Sequence, residues 1–433
     1  MNPTLSRRNF LALAGGAAVA APVARLLAGT APEAQSTEAG TASSVITPNG
    51  VALRGRWVDG VRVFHLIAEP VNHEFAPGLQ ADCWGYNGRV HGPTLEAVEG
   101  DRVRIYVTNR LPEPTTAHWH GMTVPNGMDG VAGLTQPPIP PGGTFVYEFT
   151  VMEAGTFMYH PHHDEMTQMQ LGMMGLFIVH PKGPLEASPD RDYALLLSEW
   201  KIEVGARRPD PAEMTDFNVF TINGRAYPGT DPLVARKGDR VRIRIGNLSS
   251  MSHHIMHLHG HRFRVVATDG GEVPESARRP ETSVLVPTGT TRTVEFVAEW
   301  PGDWIFHCHM LHHVMNQMGH TFGNWIGVRT QGLDTAVDKV VPGYMAMGQS
   351  GMGDGGSMGM AVPPNSLPMG GGSGPFGPIG MGGMFTILKV RETAEECAKP
   401  GWYQAPGGTR ARAADTGQMR RDGIDADTGN PPS

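Results

Sequence analysis

The stretch YNGRVHGPTLEAVEGDRVRIYVTN (residues 86–109) returns later in the chain as INGRAYPGTDPLVARKGDRVRIRIGN (residues 222–247). Both copies contain Gly-Asp-Arg-Val-Arg-Ile, at residues 100–105 and 238–243. Beyond each Gly-Asp, apolar residues alternate with polar ones: Val103, Ile105 and Val107 in the first copy, Val241, Ile243 and Ile245 in the second. That period-2 pattern marks a strand with one buried face. A second echo is free of gaps: GGTFVYEFTVMEAGTFMYHPH (142–162) aligns with GTTRTVEFVAEWPGDWIFHCH (289–309). Short strands separated by Gly/Pro turns and duplicated once predict an all-β chain of two β-sandwich domains in tandem. The expected domains are 45–182 and 191–330, followed by an irregular Met/Gly/Pro-rich tail, 331–433.

The repeat also aligns histidines. His118-Trp119-His120 matches His257-Leu258-His259, and His160-Pro161-His162 matches His307-Cys308-His309. On a strand, residues i and i+2 share a face, so each pair offers two imidazoles side by side. Four such pairs, placed symmetrically in two domains, point to a shared metal site. Imidazoles without carboxylate or thiolate partners suit copper better than a hard cation. A single zinc ion takes four ligands and leaves half of these residues unexplained.

Cys308 belongs to a different centre. A thiolate, two imidazoles and a weak axial thioether make a blue-copper site; the candidates are His254, Cys308, His313 and Met318. The thiolate of Cys308 and its neighbours His307 and His309 then join two metal centres through a few covalent bonds. His253, His163 and His312 adjoin proposed ligands but fall off the alternation. His65, His73, His91, His180, His261 and His320 fit no ligand pattern and are expected to be structural or solvated. Asp164 and Glu165, after the ligands of the first domain, are expected to be solvated carboxylates.

The 433 residues suffice for two or three domains. A formal net charge of −7 argues against nucleic acid and gives no basic surface for anionic lipid. At the N-terminus, Ser6-Arg7-Arg8-Asn9-Phe10-Leu11 precedes an apolar stretch and resembles a bacterial twin-arginine export signal. Residues 1–34 are therefore expected to be a signal peptide, too short and too rich in Gly and Ala for a spanning helix. A periplasmic or secreted protein, with no membrane attachment after signal removal, is the expectation.

The segments HWHGM, HPH, HHIMHLHGH and HCHMLHHVMNQM resemble the four copper-binding segments of the multicopper oxidases, the laccase-like family. The resemblance covers roughly residues 80–330 and implies cupredoxin-like Greek-key sandwiches. It implies four coppers per active unit, with type 1 ligands His254, Cys308, His313 and Met318. Type 2 copper falls to His118 and His257, and the type 3 pair to His120, His160, His162, His259, His307 and His309. Dioxygen is the implied acceptor, and a phenol, an aromatic amine or cuprous ion the implied donor. Asp129, in NGMDGVAGLTQPP, resembles the family's acidic residue after the first His-x-His, a proton relay.

The span from His162 to His254 has no room for a middle sandwich, so the chain resembles the two-domain branch. In that branch three chains form a ring, and a homotrimer is the expectation. Opposite Cys308, His313, Met318 and His254, the first domain has Pro161, Met166, Leu171 and Thr115, which build no type 1 site. The alternatives are a two-domain copper nitrite reductase, whose cysteine has histidine on one flank only, and a non-enzymatic copper-binding protein. Methionines in 164–175 and 345–384 are soft enough to collect Cu(I); core filler and linker are the plainer readings. Cys83 and Cys397, left over in an oxidising compartment, are expected to pair.

Overall fold

A computed structural model describes residues 45–183, 188–317, 339–340, 364–368 and 370–424. The proposed signal peptide, Met318, His320 and most of the Met-rich tail lie outside the described residues.

Each repeated Gly-Asp makes the same turn. Gly100 and Gly238 have φ of 89° and 90°, a region that costs a side-chain-bearing residue energy but not glycine. The following aspartate closes the turn: Asp101 Oδ2 accepts from Val98 N (2.9 Å) and Asp239 Oδ2 from Arg236 N (2.9 Å). The strands that follow, Arg102–Asn109 and Arg240–Asn247, bury the alternating residues completely. They pair in the same way. Arg102–Asn109 runs antiparallel to Thr144–Thr150 and parallel to Val61–Ala76; Arg240–Asn247 runs antiparallel to Thr290–Val297 and parallel to Arg191–Trp200.

Each strand set faces a five-stranded sheet that carries the histidines. In the first sandwich its order is Ala52–Leu53, Thr94–Val98, Gly175–His180, Gly155–His160, His118–His120. In the second it is Leu233–Arg236, Phe385–Arg391, Gly302–Cys308, His254–Leu258, Ser283–Val286. The expected two-sandwich, all-β architecture is what forms. Phe385–Arg391 is the counterpart of Gly175–His180, parallel to one neighbour and antiparallel to the other in both sheets. It is buried along its whole length. Part of the tail expected to be irregular beyond residue 330 thus supplies a central strand of the second sandwich. In the first sandwich the connection into the equivalent strand is short, residues 161–174, whereas in the second it takes residues 309–384.

The two sandwiches pack against each other through Met158, Met174, Leu176 and Ile178 on one side and Ala194, Leu196 and Leu248 on the other. A buried ion pair, Arg244 to Asp192 (2.8 and 2.9 Å), adds a bond from Arg244 Nη1 to Thr156 Oγ1 (3.0 Å) across this seam. The expected Cys83–Cys397 disulfide does not form, and all three cysteines are free. Cys83 is buried with Phe75, Leu79, Trp200 and Ile202, whereas Cys397 lies on the short helix Ala394–Ala398, near Arg191 and Asp239. Among the described residues no helix is long and apolar enough to cross a membrane.

Candidate metal centres

Strand alternation sorts the histidines by face. In His254–Leu258, residues His254, Met256 and Leu258 are buried, while Ile255 and His257 turn outward. The neighbouring strand pairs Cys308 with Met256 and His307 with His257. Cys308 therefore points into the core beside His254, and His307 points out beside His257. The odd spacing between His254 and His257 puts them on opposite faces, and the adjacency of His307 and Cys308 does the same.

Inside the core, Cys308 Sγ lies 3.7 Å from His254 Nδ1 and 3.4 Å from His313 Nδ1, and the two nitrogens are 3.1 Å apart. All three side chains are buried. His313 comes from the turn Leu311–Val314 and stacks on Phe220 with ring centroids 4.2 Å apart. Burial pushes the His313 imidazole down to about 3, holds His254 well below the ordinary histidine value and raises the Cys308 thiol to about 11. Both imidazoles are thus neutral and keep a lone pair for a metal, and a metal binding here displaces the thiol proton. Two Nδ1 atoms and a sulfur converging in a buried pocket fit a blue-copper donor set. Met318, the expected axial ligand, lies outside the described residues.

The neighbouring histidines are otherwise engaged. His253 Nδ1 accepts from Thr288 N (3.1 Å), and His312 Nε2 lies 2.9 Å from the Phe217 carbonyl. His73, His91, His180 and His261 are buried, and the first three meet Gly224 O, Ser198 Oγ and Glu96 Oε2. In the first sandwich the place of the thiolate site is filled differently. Thr115 Oγ1 donates to Gln168 Oε1 (2.6 Å), Leu171 is buried and Met166 is exposed.

On the outer faces lie two histidine quartets. In the first, His118, His120 and His160 bring their ring nitrogens within 4.8 Å of one another. His162 stands beside them, its ring 5.5 Å from that of His118, with Nε2 3.9 Å from the Glu165 carboxylate. In the second quartet the His257 ring meets those of His259, His307 and His309 at 4.9, 5.7 and 5.4 Å. His257 and His259 of this quartet border a cleft of about 910 Å³ that Arg262, Arg278 and Trp300 help to line. Among the described residues no ring contact joins the two quartets.

Main-chain carbonyls orient these rings, and the repeat preserves the arrangement. His160 Nδ1 donates to Pro161 O and His307 Nδ1 to Cys308 O, both at 2.8 Å. His118 Nδ1 donates to Asp129 O and His257 Nδ1 to Thr282 O, again both at 2.8 Å. A proton fixed on Nδ1 leaves the Nε2 lone pair for a metal. His120 is reversed: its Nε2 donates to Gly289 O (2.8 Å), and its Nδ1 lies 3.2 Å from His160 Nε2. Burial lowers His160 to about 3 and His307 to about 4, which keeps both neutral. The Asp129 carboxylate, the acidic residue singled out by the family resemblance, stands 3.3 Å from His118 Nδ1.

Two contributors escaped the sequence reading. Glu165, its carboxylate largely solvated as expected, also reaches His160 Nδ1 at 3.4 Å and His162 Nε2 at 3.9 Å. Ser249 Oγ lies 2.7 Å from His254 Nε2. The carbonyl partners carry no sequence signal, since any residue supplies one.

Two family descriptions, each named multicopper oxidase, match residues 67–184 and 203–324. Copper resistance protein A of Escherichia coli is 28% identical over 64% of this chain and 52% of its own length. Multicopper oxidase MmcO of Mycobacterium tuberculosis is 31% identical over 61% of this chain and 56% of its own. The chain thus spans about half the length of these curated relatives. Among solved structures, a blue copper oxidase from Nitrosomonas europaea is 28% identical, with a TM-score of 0.56, and the match covers 76% of this chain and 85% of that one. The two matched segments fall on the two sandwiches that hold the histidine quartets, and the chain belongs to the multicopper oxidase family, whose cofactor is copper.

Proposed function

We propose that this protein couples one-electron oxidation of a reducing substrate at the thiolate site to reduction of dioxygen to water between the histidine quartets. The observation that carries this reading is the strand Gly302–Cys308, which turns Cys308 into the buried site and His307 onto the outer quartet. A single peptide link thereby connects the group that receives an electron to a group beside the oxygen site. Copper, when bound, supplies one-electron transfer at the thiolate and four-electron dioxygen reduction at the quartets.

His254, Cys308 and His313, with Met318, hold the type 1 ion. His118 and His257 hold the type 2 ion, and His120, His160, His162, His259, His307 and His309 the type 3 pair. Asp129 accepts and passes protons beside His118, as four electrons, four protons and one dioxygen make two waters. Changing Asp129 to Asn is expected to slow oxygen reduction about 100- to 10,000-fold while copper content stays at the wild-type level. The Asp129 carbonyl that orients His118 survives this substitution. Copper loss in the variant would mean a structural role instead.

The donor is cuprous ion or a phenolic or aromatic amine compound, and copper tolerance is the role favoured by the copper resistance relatives. Export through the twin-arginine route to the periplasm or outside the cell, and a homotrimer, complete the proposal. Oxygen uptake decides it. Oxidation of Cu(I), or of a phenol, by the copper-loaded protein should consume about one dioxygen per four electrons and release no hydrogen peroxide. Peroxide as product, or turnover of nitrite in place of dioxygen, would overturn the reading. Comparing the two donors on one preparation assigns the substrate.

A further inference from the structure

The repeat supplies an internal control for the thiolate site, because one sandwich has the site and the other does not. Asn109 and Asn247 end the duplicated segments and do the same work. Each side-chain oxygen accepts from the backbone N–H two residues on, Leu111 N or Ser249 N, both at 2.9 Å. Each side-chain amide donates to a carbonyl on the adjoining segment, Ile139 O or Val286 O, both at 2.9 Å. The residue so held is Leu111 in the first sandwich and Ser249 in the second. Leu111 is buried among apolar residues, whereas Ser249 Oγ lies 2.7 Å from His254 Nε2.

A second difference occurs on the neighbouring strand. Ala68 pairs with Asn109 and Leu197 with Asn247, so two residues further along Pro70 corresponds to Glu199. Glu199 is buried, and one carboxylate oxygen accepts from both Met251 N (2.7 Å) and Ser252 N (2.9 Å). Asn247 Nδ2 also donates to Ser252 O (3.0 Å). The loop from Ser249 to His253 is thereby fixed on both sides of Ser250, and Gln170 of the first sandwich donates to Ser250 Oγ. A buried carboxylate costs free energy to place, and its position here is explained by the loop it holds.

We infer that Ser249, fixed by Asn247 and by the Glu199 clamp on its loop, is the positioning residue of the thiolate site. His254 Nδ1 faces Cys308 Sγ and His313 Nδ1 and serves as a ligand only if it is unprotonated. The proton must then sit on Nε2, which is buried with the ring and needs an acceptor. Ser249 Oγ is that acceptor. It gives the Nε2 proton a partner and holds the ring angle before any metal arrives. The inference rests on the thiolate-site reading above for its functional meaning, but the tautomer is a property of the copper-free chain.

Nitrogen-15 NMR of the copper-free protein, with His254 assigned by comparison with His254→Gln, should show the proton on Nε2 in the wild type and in Ser249→Thr. In Ser249→Ala, the Nδ1-protonated form should become populated. After copper loading, Ser249→Ala should bind copper at the thiolate site about 10- to 100-fold more weakly and show altered copper hyperfine splitting, with Ser249→Thr restoring both. Glu199→Ala should move the same readouts in the same direction, whereas Glu199→Gln, whose amide oxygen still accepts both N–H groups, should not. Wild-type tautomer, affinity and hyperfine splitting in a folded Ser249→Ala protein would overturn the inference. If the tautomer shifts as expected while wild-type protein shows no thiolate-to-copper absorption, the blue-copper reading has failed and the positioning of His254 stands.

Discussion

A Cys308→Ser enzyme should be colourless and should lose oxidation of every reducing substrate, down to background. The blue absorption of such a site is charge transfer from thiolate sulfur to copper, and a hydroxyl at the same place provides neither the sulfur nor its covalency. The loss should be confined to one centre. Both quartets keep their ligands, and His307 and His309 keep the backbone bonds that place them, Cys308 O for the first and Ile255 O for the second. About three of the four expected coppers should therefore remain. Folding should survive, because Cys308 sits in a rigid strand whose backbone N–H is bonded to Met384 O (3.0 Å). The buried hydroxyl is expected to cost about 1–3 kcal/mol if it finds no partner, which a thermal melt would register. Persistent blue colour in this variant would remove Cys308 from the type 1 site.

How much of this was legible beforehand follows from what a sequence encodes directly. The Gly-Asp turn and the alternation after it are local, so the duplicated sandwich could be read from residues 86–109 and 222–247 alone. The division of labour between His307 and Cys308 was legible too, because strand parity alone sends neighbours to opposite faces. The return strand Phe385–Arg391 was not legible as a central member of the second sheet. Its counterpart Gly175–His180 follows its neighbour closely, and the long stretch of sequence after His309 hides the equivalence. The proposed disulfide failed for a related reason. Counting leftover cysteines says nothing of distance, and Cys83 and Cys397 are held by different packing. Ser249 was hidden because the letter opposite it in the repeat is Leu111, and a difference between copies looks like drift until the bond to His254 is seen.

The subunit arrangement gives the other large effect. Within one chain, His120 Nε2 is bonded to Gly289 O, just beyond Val286, the strand partner of His254. His257 lies opposite Ser283, further along the same strand pair, and at about 3.3 Å per residue that displacement is roughly 10 Å. The first quartet therefore sits toward the His254 end of the second sandwich and the second quartet toward the other end. On the proposed reading, in which one cluster takes eight histidines, each is half of a site. A head-to-tail ring brings unlike halves together and closes on itself, whereas an open arrangement would grow into filaments. His118→Ala/His120→Ala and His257→Ala/His259→Ala proteins should each be inactive alone. Unfolded together in equal amounts and refolded with copper, they should recover about a quarter of wild-type oxygen reduction, the fraction of contacts at which an intact first sandwich meets an intact second one. Each such contact also has an intact Cys308 feeding His307 and His309 in the same chain. If the quartets met within one chain, every chain in the mixture would lack two of its eight cluster histidines and no activity would return. Sedimentation of the wild type should give three chains per particle, and a copper-replete, active monomer would overturn the shared site outright.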